Sequence, residues 1–155
     1  MGIVRVMGYS LLLVATLTAC GGSDKQDAGV AALTAAQKSW SDAMIDDYQF
    51  TLTVACFCGS STTDAGPGEY VVIVKDDVIE SAFEKDSGEY LNADQAAALP
   101  TIDGLFTIIG DAYDDDADHV DVVYDATRGY PMDITIDPIS GAADDEIEYH
   151  VRDFM

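Results

Sequence analysis

The chain predicts an α+β domain: one mostly antiparallel, twisted sheet of about six strands, with two helices packed on one face. Three observations predict it. Two segments repeat apolar residues at helical spacing, and six carry them in alternation or as a short continuous run. The links between strands are short, which suits antiparallel neighbours, because parallel strands need a long crossover. The predicted order is αβββαβββ, with no solenoid-type repeat, although each half is a helix followed by three strands.

The first helix is expected over residues 31–45, where Leu33, Ala36, Trp40 and Met44 fall on one face and Lys38, Ser39 and Asp42 lie off it. Trp40 is read as a core anchor. Asp46-Asp47 ends the helix and alternation begins: Tyr48, Phe50, Leu52 and Val54 point one way, and Gln49, Thr51 and Thr53 the other. Gly59 to Gly68 has loop composition. Tyr70 to Val74 is a continuous run, as in a central strand, and Lys75-Asp76-Asp77 is read as a tight turn into Val78–Phe83.

Asn92 with Gln95 three residues later predicts a capped short helix. Pro100 interrupts it, and Thr101 caps a second piece with Ile102, Leu105, Phe106 and Ile109 on one face. Alternation returns around Val120–Tyr124, Met132–Ile136 and Ile147–Val151, joined by the turn-like links 126–129 and 138–141. The sheet face away from the helices is expected to be polar and acidic.

The N-terminus addresses the chain to a membrane. The run Val6–Thr16 is too short to span a bilayer, which takes ~20 apolar residues, and has the length of a signal h-region. It closes on Leu17-Thr18-Ala19-Cys20, which looks like a lipobox, so residues 1–19 are read as a lipoprotein signal peptide and Cys20 as the lipidated residue. Residues 20–30 are small and polar, as in a flexible tether. Residues 31–155 form the single domain. The expected location is the bacterial cell envelope, held by the N-terminal lipid: the periplasmic side of the outer membrane in a two-membrane cell, otherwise the outer face of the cell membrane.

The formal net charge is −22, from 29 acidic and 7 basic residues. That argues against nucleic acid and anionic headgroups as partners, since both demand a basic patch. Two accounts of the acidic excess stand side by side, a solvated surface and a dedicated cation site. Asp114, Asp116 and Asp118 occupy the first three ligand positions of a calcium loop, with Asp125 at the twelfth. His119 stands where that loop requires Gly, which argues against an EF-hand and leaves a looser Ca²⁺ site as the alternative to a solvated connection. No other cofactor is expected.

In an oxidising compartment the remaining pair, Cys56 and Cys58, points first to a disulfide. Residues i and i+2 of a strand lie ~6.6 Å apart, near the upper limit for a disulfide, so closure requires a kink that Gly59 permits. Free buried thiols and a metal or redox role are the other readings. Nothing in the chain suggests catalysis: G-x-S-x-G, H-E-x-x-H and phosphate-loop patterns are missing, and the two histidines are His119 and His150. His150, flanked by Glu148 and Arg152, is expected to be a surface ion-pair partner. Arg128-Gly129-Tyr130-Pro131 is most simply a turn, with Gly129 at positive φ. The other reading is a protruding Arg128 and Tyr130 that form a contact pair.

Several pieces together resemble an uncharacterised family of small bacterial lipoproteins: Trp40, Asp47-Tyr48, Cys56-Phe57-Cys58, Thr101-Ile102-Asp103-Gly104-Leu105-Phe106, Tyr124-Asp125-Ala126-Thr127-Arg128-Gly129-Tyr130-Pro131 and Ile134-Thr135-Ile136-Asp137. The resemblance spans roughly residues 38–154 and implies export and fold rather than chemistry. In element order the chain is also similar to small helix-plus-meander inhibitor domains. The expected role is therefore binding or structure in the envelope, with an unidentified envelope protein as partner. The alternative is an exported inhibitor or binding module for an envelope or secreted enzyme.

Overall fold

The computed structural model describes residues 23–57, 65–142 and 145–155. It contains helix α1 (Ser23–Ala43), strands β1 (Tyr48–Cys56), β2 (Gly68–Lys75) and β3 (Val78–Glu84), helices α2 (Ala93–Ala98) and α3 (Ile102–Asp114), and strands β4 (His119–Tyr124), β5 (Pro131–Asp137) and β6 (Ile147–Arg152). The six strands form one antiparallel sheet in the order β3-β2-β1-β6-β5-β4. The fold is α+β as expected, with the helical segment around Pro100 divided into α2 and α3.

Alternation in β1 buries Tyr48, Phe50, Leu52 and Val54. They join Val72 and Val74 of β2, Ile134 and Ile136 of β5, Tyr149 and Val151 of β6, and Leu105, Phe106 and Ile109 of α3 in one core. From α1 this core receives Leu33, Ala36 and Trp40, at the predicted helical spacing. Both predicted caps are present. Asn92 and Gln95 form a reciprocal capping box on α2, and the Thr101 hydroxyl accepts from the Gly104 amide at the start of α3.

Helix α1 takes in residues 23–30 of the stretch 20–30 expected to be a flexible tether. Gly29, one of its small residues, serves packing there. A Cβ on Gly29 would stand 2.3 Å from the Tyr113 hydroxyl, so the glycine lets α1 lie close to α3. One turn earlier, the Gln26 amide donates to the Tyr113 carbonyl at 2.9 Å.

Two local irregularities shape the rest. The β2–β3 hairpin turns on Asp76 and Asp77, both at positive φ (50° and 61°), which is a type I′ turn made with Asp-Asp. At the chain end, Thr51 pairs with Arg152, yet Gln49 exchanges both backbone hydrogen bonds with Met155. One extra residue therefore sits on the β6 side, a bulge centred on Asp153 (φ 51°). The bulge reverses the alternation, so Phe154 turns to the core side and Asp153 to the outer face.

Candidate functional site

A cleft of about 580 Å³ opens at the C-terminal end of α1 and is lined by Gln37, Trp40, Ser41, Met44, Ile45, Asp46, Asp77, Asp103, Phe106 and Thr107. Each wall has a local cause. Helix α1 stops at Met44, whose left-handed backbone (φ 48°) directs the chain away and leaves the side chain 86% exposed on the lip. The hairpin tip is clamped beside it: the Asp77 amide donates to the Asp46 carbonyl (3.1 Å), and the Asp76 amide to the Asp47 carboxylate (3.0 Å). Across the cleft, α3 presents Asp103 in its first turn, where a carboxylate suits the helix dipole.

Three carboxylates thus stand on the rim, above the apolar side chains of Trp40, Ile45 and Phe106. Asp46, Asp77 and Asp103 make no ion pair among the described residues. Nearby cations are engaged elsewhere, with Lys38 on Asp42 (2.7 Å) and Lys75 on Glu80 (2.8 Å). Beneath them the Tyr48 hydroxyl accepts from the Ile102 amide at 3.2 Å. Burial is the main reason its pKa is pushed up to about 12, with the negative charges of Asp103 and Asp77 adding to it.

Of the two residues of the alternative contact-pair reading, Arg128 and Tyr130, the structure exposes one and buries the other. Tyr130 is buried at 9% exposure, stacked on Phe154 and edge-on to Trp40, whereas Arg128 is exposed with its guanidinium 5.3 Å from the Phe154 ring centre. The Asp125 carboxylate accepts from the amides of Thr127 (3.0 Å) and Arg128 (2.6 Å) and closes the turn. Gly129 has φ 85° and packs on α1, where a Cβ would lie 2.5 Å from the Ala36 carbonyl oxygen. The motif Y-D-x-x-x-G-Y-P therefore fastens a turn to the first helix.

The structure describes residues 32–155 at almost every position, and this same span matches the model of a family of unknown function, DUF6174. The chain belongs to that family. Comparison with curated proteins and with solved structures gave no match.

Elsewhere in this DUF6174 chain, the outer sheet face joins His150, Asp133 and Arg152. His150 Nδ1 lies 2.8 Å from Asp133 Oδ1, its Nε2 lies 3.6 Å from Glu148, and Arg152 donates to Asp133 and to the Met132 carbonyl. Burial alone would raise the Asp133 pKa, but hydrogen bonds from Arg152 and His150 outweigh it and hold the carboxyl below its ordinary value. Both ring nitrogens of His150 thus face carboxylates on a half-buried face.

The acidic connection is spread out. Asp116 accepts from Gln26 at 3.2 Å, the Asp118 carboxylate accepts from the Ser140 amide, and Asp114 is the last residue of α3. Among the described residues, no three His, Cys, Asp or Glu side chains converge as a metal would require. Cys56 ends β1 on the core side, beside a cleft of about 420 Å³ lined by Val54, Ala55, Phe57, Pro67, Glu146 and Glu148, and Phe57 is 79% exposed. Cys20 and Cys58 lie outside the described residues, and so does Gly59.

Sequence reading placed Asp46 at the helix stop and Asp77 in the hairpin turn, and gave Asp103 no role of its own; the structure puts it in the first turn of α3. Nothing in the spacing of these positions signals their convergence, which is made by the α1–α3 packing and the hairpin clamp.

Proposed function

We propose that this protein is held in the bacterial cell envelope by lipid on Cys20 and acts by binding rather than by catalysis. The observation that carries this reading is the placement of the acid-rimmed cleft relative to the lipobox. Helix α1 starts at Ser23, just after Leu17-Thr18-Ala19-Cys20, and runs to Ala43. At 1.5 Å per residue it spans roughly 30 Å, so a lipid at Cys20 would set its first turn near the membrane and the acid-rimmed cleft far from it. A binding surface at the far end of this packed helix stays accessible to partners in the periplasm or beyond the cell.

Labelled fatty acid should enter the wild-type protein and not the Cys20→Ser variant, which should leave the membrane fraction. Crosslinking in intact cells should capture a discrete protein partner. A wild-type chain that takes up no lipid would sink the anchoring, and one that gives no discrete crosslink would sink the binding role.

A second reading, an inhibitor or binding module for an envelope or secreted enzyme, is favoured by the exposed Phe57 ring. An exposed aromatic beside a cleft is a common anchor at protein interfaces. A Cys56–Cys58 disulfide would hold that ring in place. Under this reading Phe57→Ala abolishes capture of the enzyme, and denatured exported protein shows no alkylatable thiol.

A further inference from the structure

We infer that the cleft between α1, the β2–β3 hairpin and α3 is a docking site for a basic, amphipathic segment of a partner protein. Lysine or arginine of that segment would meet Asp46, Asp77 and Asp103, and an adjacent aliphatic side chain would lie against Met44 and Ile45. This inference rests on the binding role proposed above and gives that role a site and a ligand chemistry.

Charge complementarity carries the choice of occupant. The chain bears −22 formal charges, and among the described residues no lysine or arginine lines this cleft. The three rim carboxylates make no ion pair among those residues, so an incoming cation breaks no existing pair. The negative charges of Asp103 and Asp77 also add to the burial that raises the pKa of Tyr48, whose ring packs edge-on against Trp40 of the cleft.

The carboxylates come from three separate segments and do not converge as ligands of one metal ion. Spread along the rim, they fit charges that are themselves spread along a chain. The wall adds apolar surface that suits an aliphatic side chain beside the cation. Met44 is 86% exposed, an unbranched and polarisable side chain of the kind that adapts to varied partners. Ile45 lies half-buried beside it. At about 580 Å³ the cleft is within the range that encloses a small ligand or a few side chains.

Trp40, the one tryptophan in the chain, lines this cleft and reports its occupancy. The probe is the blocked tetrapeptide Lys-Leu-Lys-Leu, titrated into the full chain at low salt while Trp40 fluorescence is followed. The comparison probes are Gln-Leu-Gln-Leu, spermidine and calcium chloride at matched ionic strength. The basic peptide should give a saturable change that the neutral peptide does not. The triple variant Asp46→Asn, Asp77→Asn, Asp103→Asn should bind it about tenfold more weakly, as expected when the two lysines lose their exposed carboxylate partners.

A control triple, Asp86→Asn, Glu89→Gln and Asp94→Asn, changes the net charge equally at exposed positions off the cleft and should bind as the wild type does. Circular dichroism checks both folds. Asp77→Asn alone keeps a residue suited to the left-handed turn and should weaken binding in the same direction. Equal losses in both triples would reduce the effect to attraction by the whole charge and overturn the site. Spermidine binding as tightly as the peptide would overturn the amphipathic segment, and a saturable calcium response would make it a metal site. If cells expressing the cleft triple still yield the crosslinked partner, the cleft is wrong while the binding role stands.

Discussion

The rings of Tyr130 and Phe154 stack with their centres 4.5 Å apart, although regular alternation from β6 would turn Phe154 toward the solvent face. The extra residue at Asp153 reverses that alternation. It lets the last two residues continue the pairing with β1 while Phe154 reaches Trp40 (5.7 Å), Tyr48 (5.5 Å) and Tyr130. On the other face Asp153 accepts from the buried Thr51 hydroxyl at 3.1 Å and lies 3.4 Å from Lys85. One bulge thus ties the chain end to both faces of the sheet.

Replacing Phe154 with Ala should therefore destabilise the domain as a core truncation does, by about 3 kcal/mol. Deleting residues 154–155 should cost at least as much, because it also removes the two backbone bonds to Gln49. Urea unfolding measures both. A change under about 0.5 kcal/mol, the scale of ordinary surface substitutions, would show that the aromatic cluster holds without its last member.

Gly129 and Gly88 separate backbone strain from steric clash. Both have positive φ (85° and 70°), but a Cβ on Gly129 would press on the Ala36 carbonyl and the Ser39 side chain, whereas one on Gly88 meets nothing within 4 Å. Gly88→Ala should cost only the left-handed penalty, about 1 kcal/mol. Gly129→Ala should cost at least twice that, because a backbone oxygen cannot step aside. Equal losses would mean that α1 and the turn do not pack as described.

The elements were legible because burial here is one-sided. Tyr48, Phe50, Leu52 and Val54 alternate since only one sheet face meets the helices, and Asn92 and Thr101 announce helix starts through their own side-chain hydrogen bonds. What escaped were features with no local period. Gly29 belongs to a linker by composition, and only the Tyr113 hydroxyl explains why a helix carries it. Asp153 looks like any polar residue near a strand end, so the reversal at Phe154 is invisible until Gln49 is seen to pair with Met155. The cleft carboxylates are separated along the chain and meet only through tertiary packing.

Acid should weaken the fold partly through Asp133. Its carboxyl is held below its ordinary value, so its contribution is complete above the unfolded pKa near 3.8 and is lost as pH falls through the lower folded value. Asp133→Asn should leave a shallower decline of stability below about pH 4 than the wild type shows, and a smaller gap between the two proteins as acidity increases. Unfolding by urea across the acid range tests this. An unchanged slope would mean that the pairs with Arg152 and His150 are as strong with the acid protonated.

The last prediction follows from the imbalance of 29 acidic against 7 basic residues. Folding crowds like charges that the unfolded chain keeps apart, and salt relieves this because the Debye length falls from ~30 Å at 0.01 M to ~10 Å at 0.1 M. Screening also weakens the favourable pairs at Lys38, Lys75 and Lys85. Those are exposed and worth little each, so repulsion dominates the balance. Melting temperature should climb smoothly with NaCl, and the cleft triple should start higher at low salt and gain less. Calcium at matched ionic strength should add nothing further. A saturable calcium effect in high salt, removed by Asp114→Asn and Asp116→Asn, would instead establish a metal site in the connection between α3 and β4.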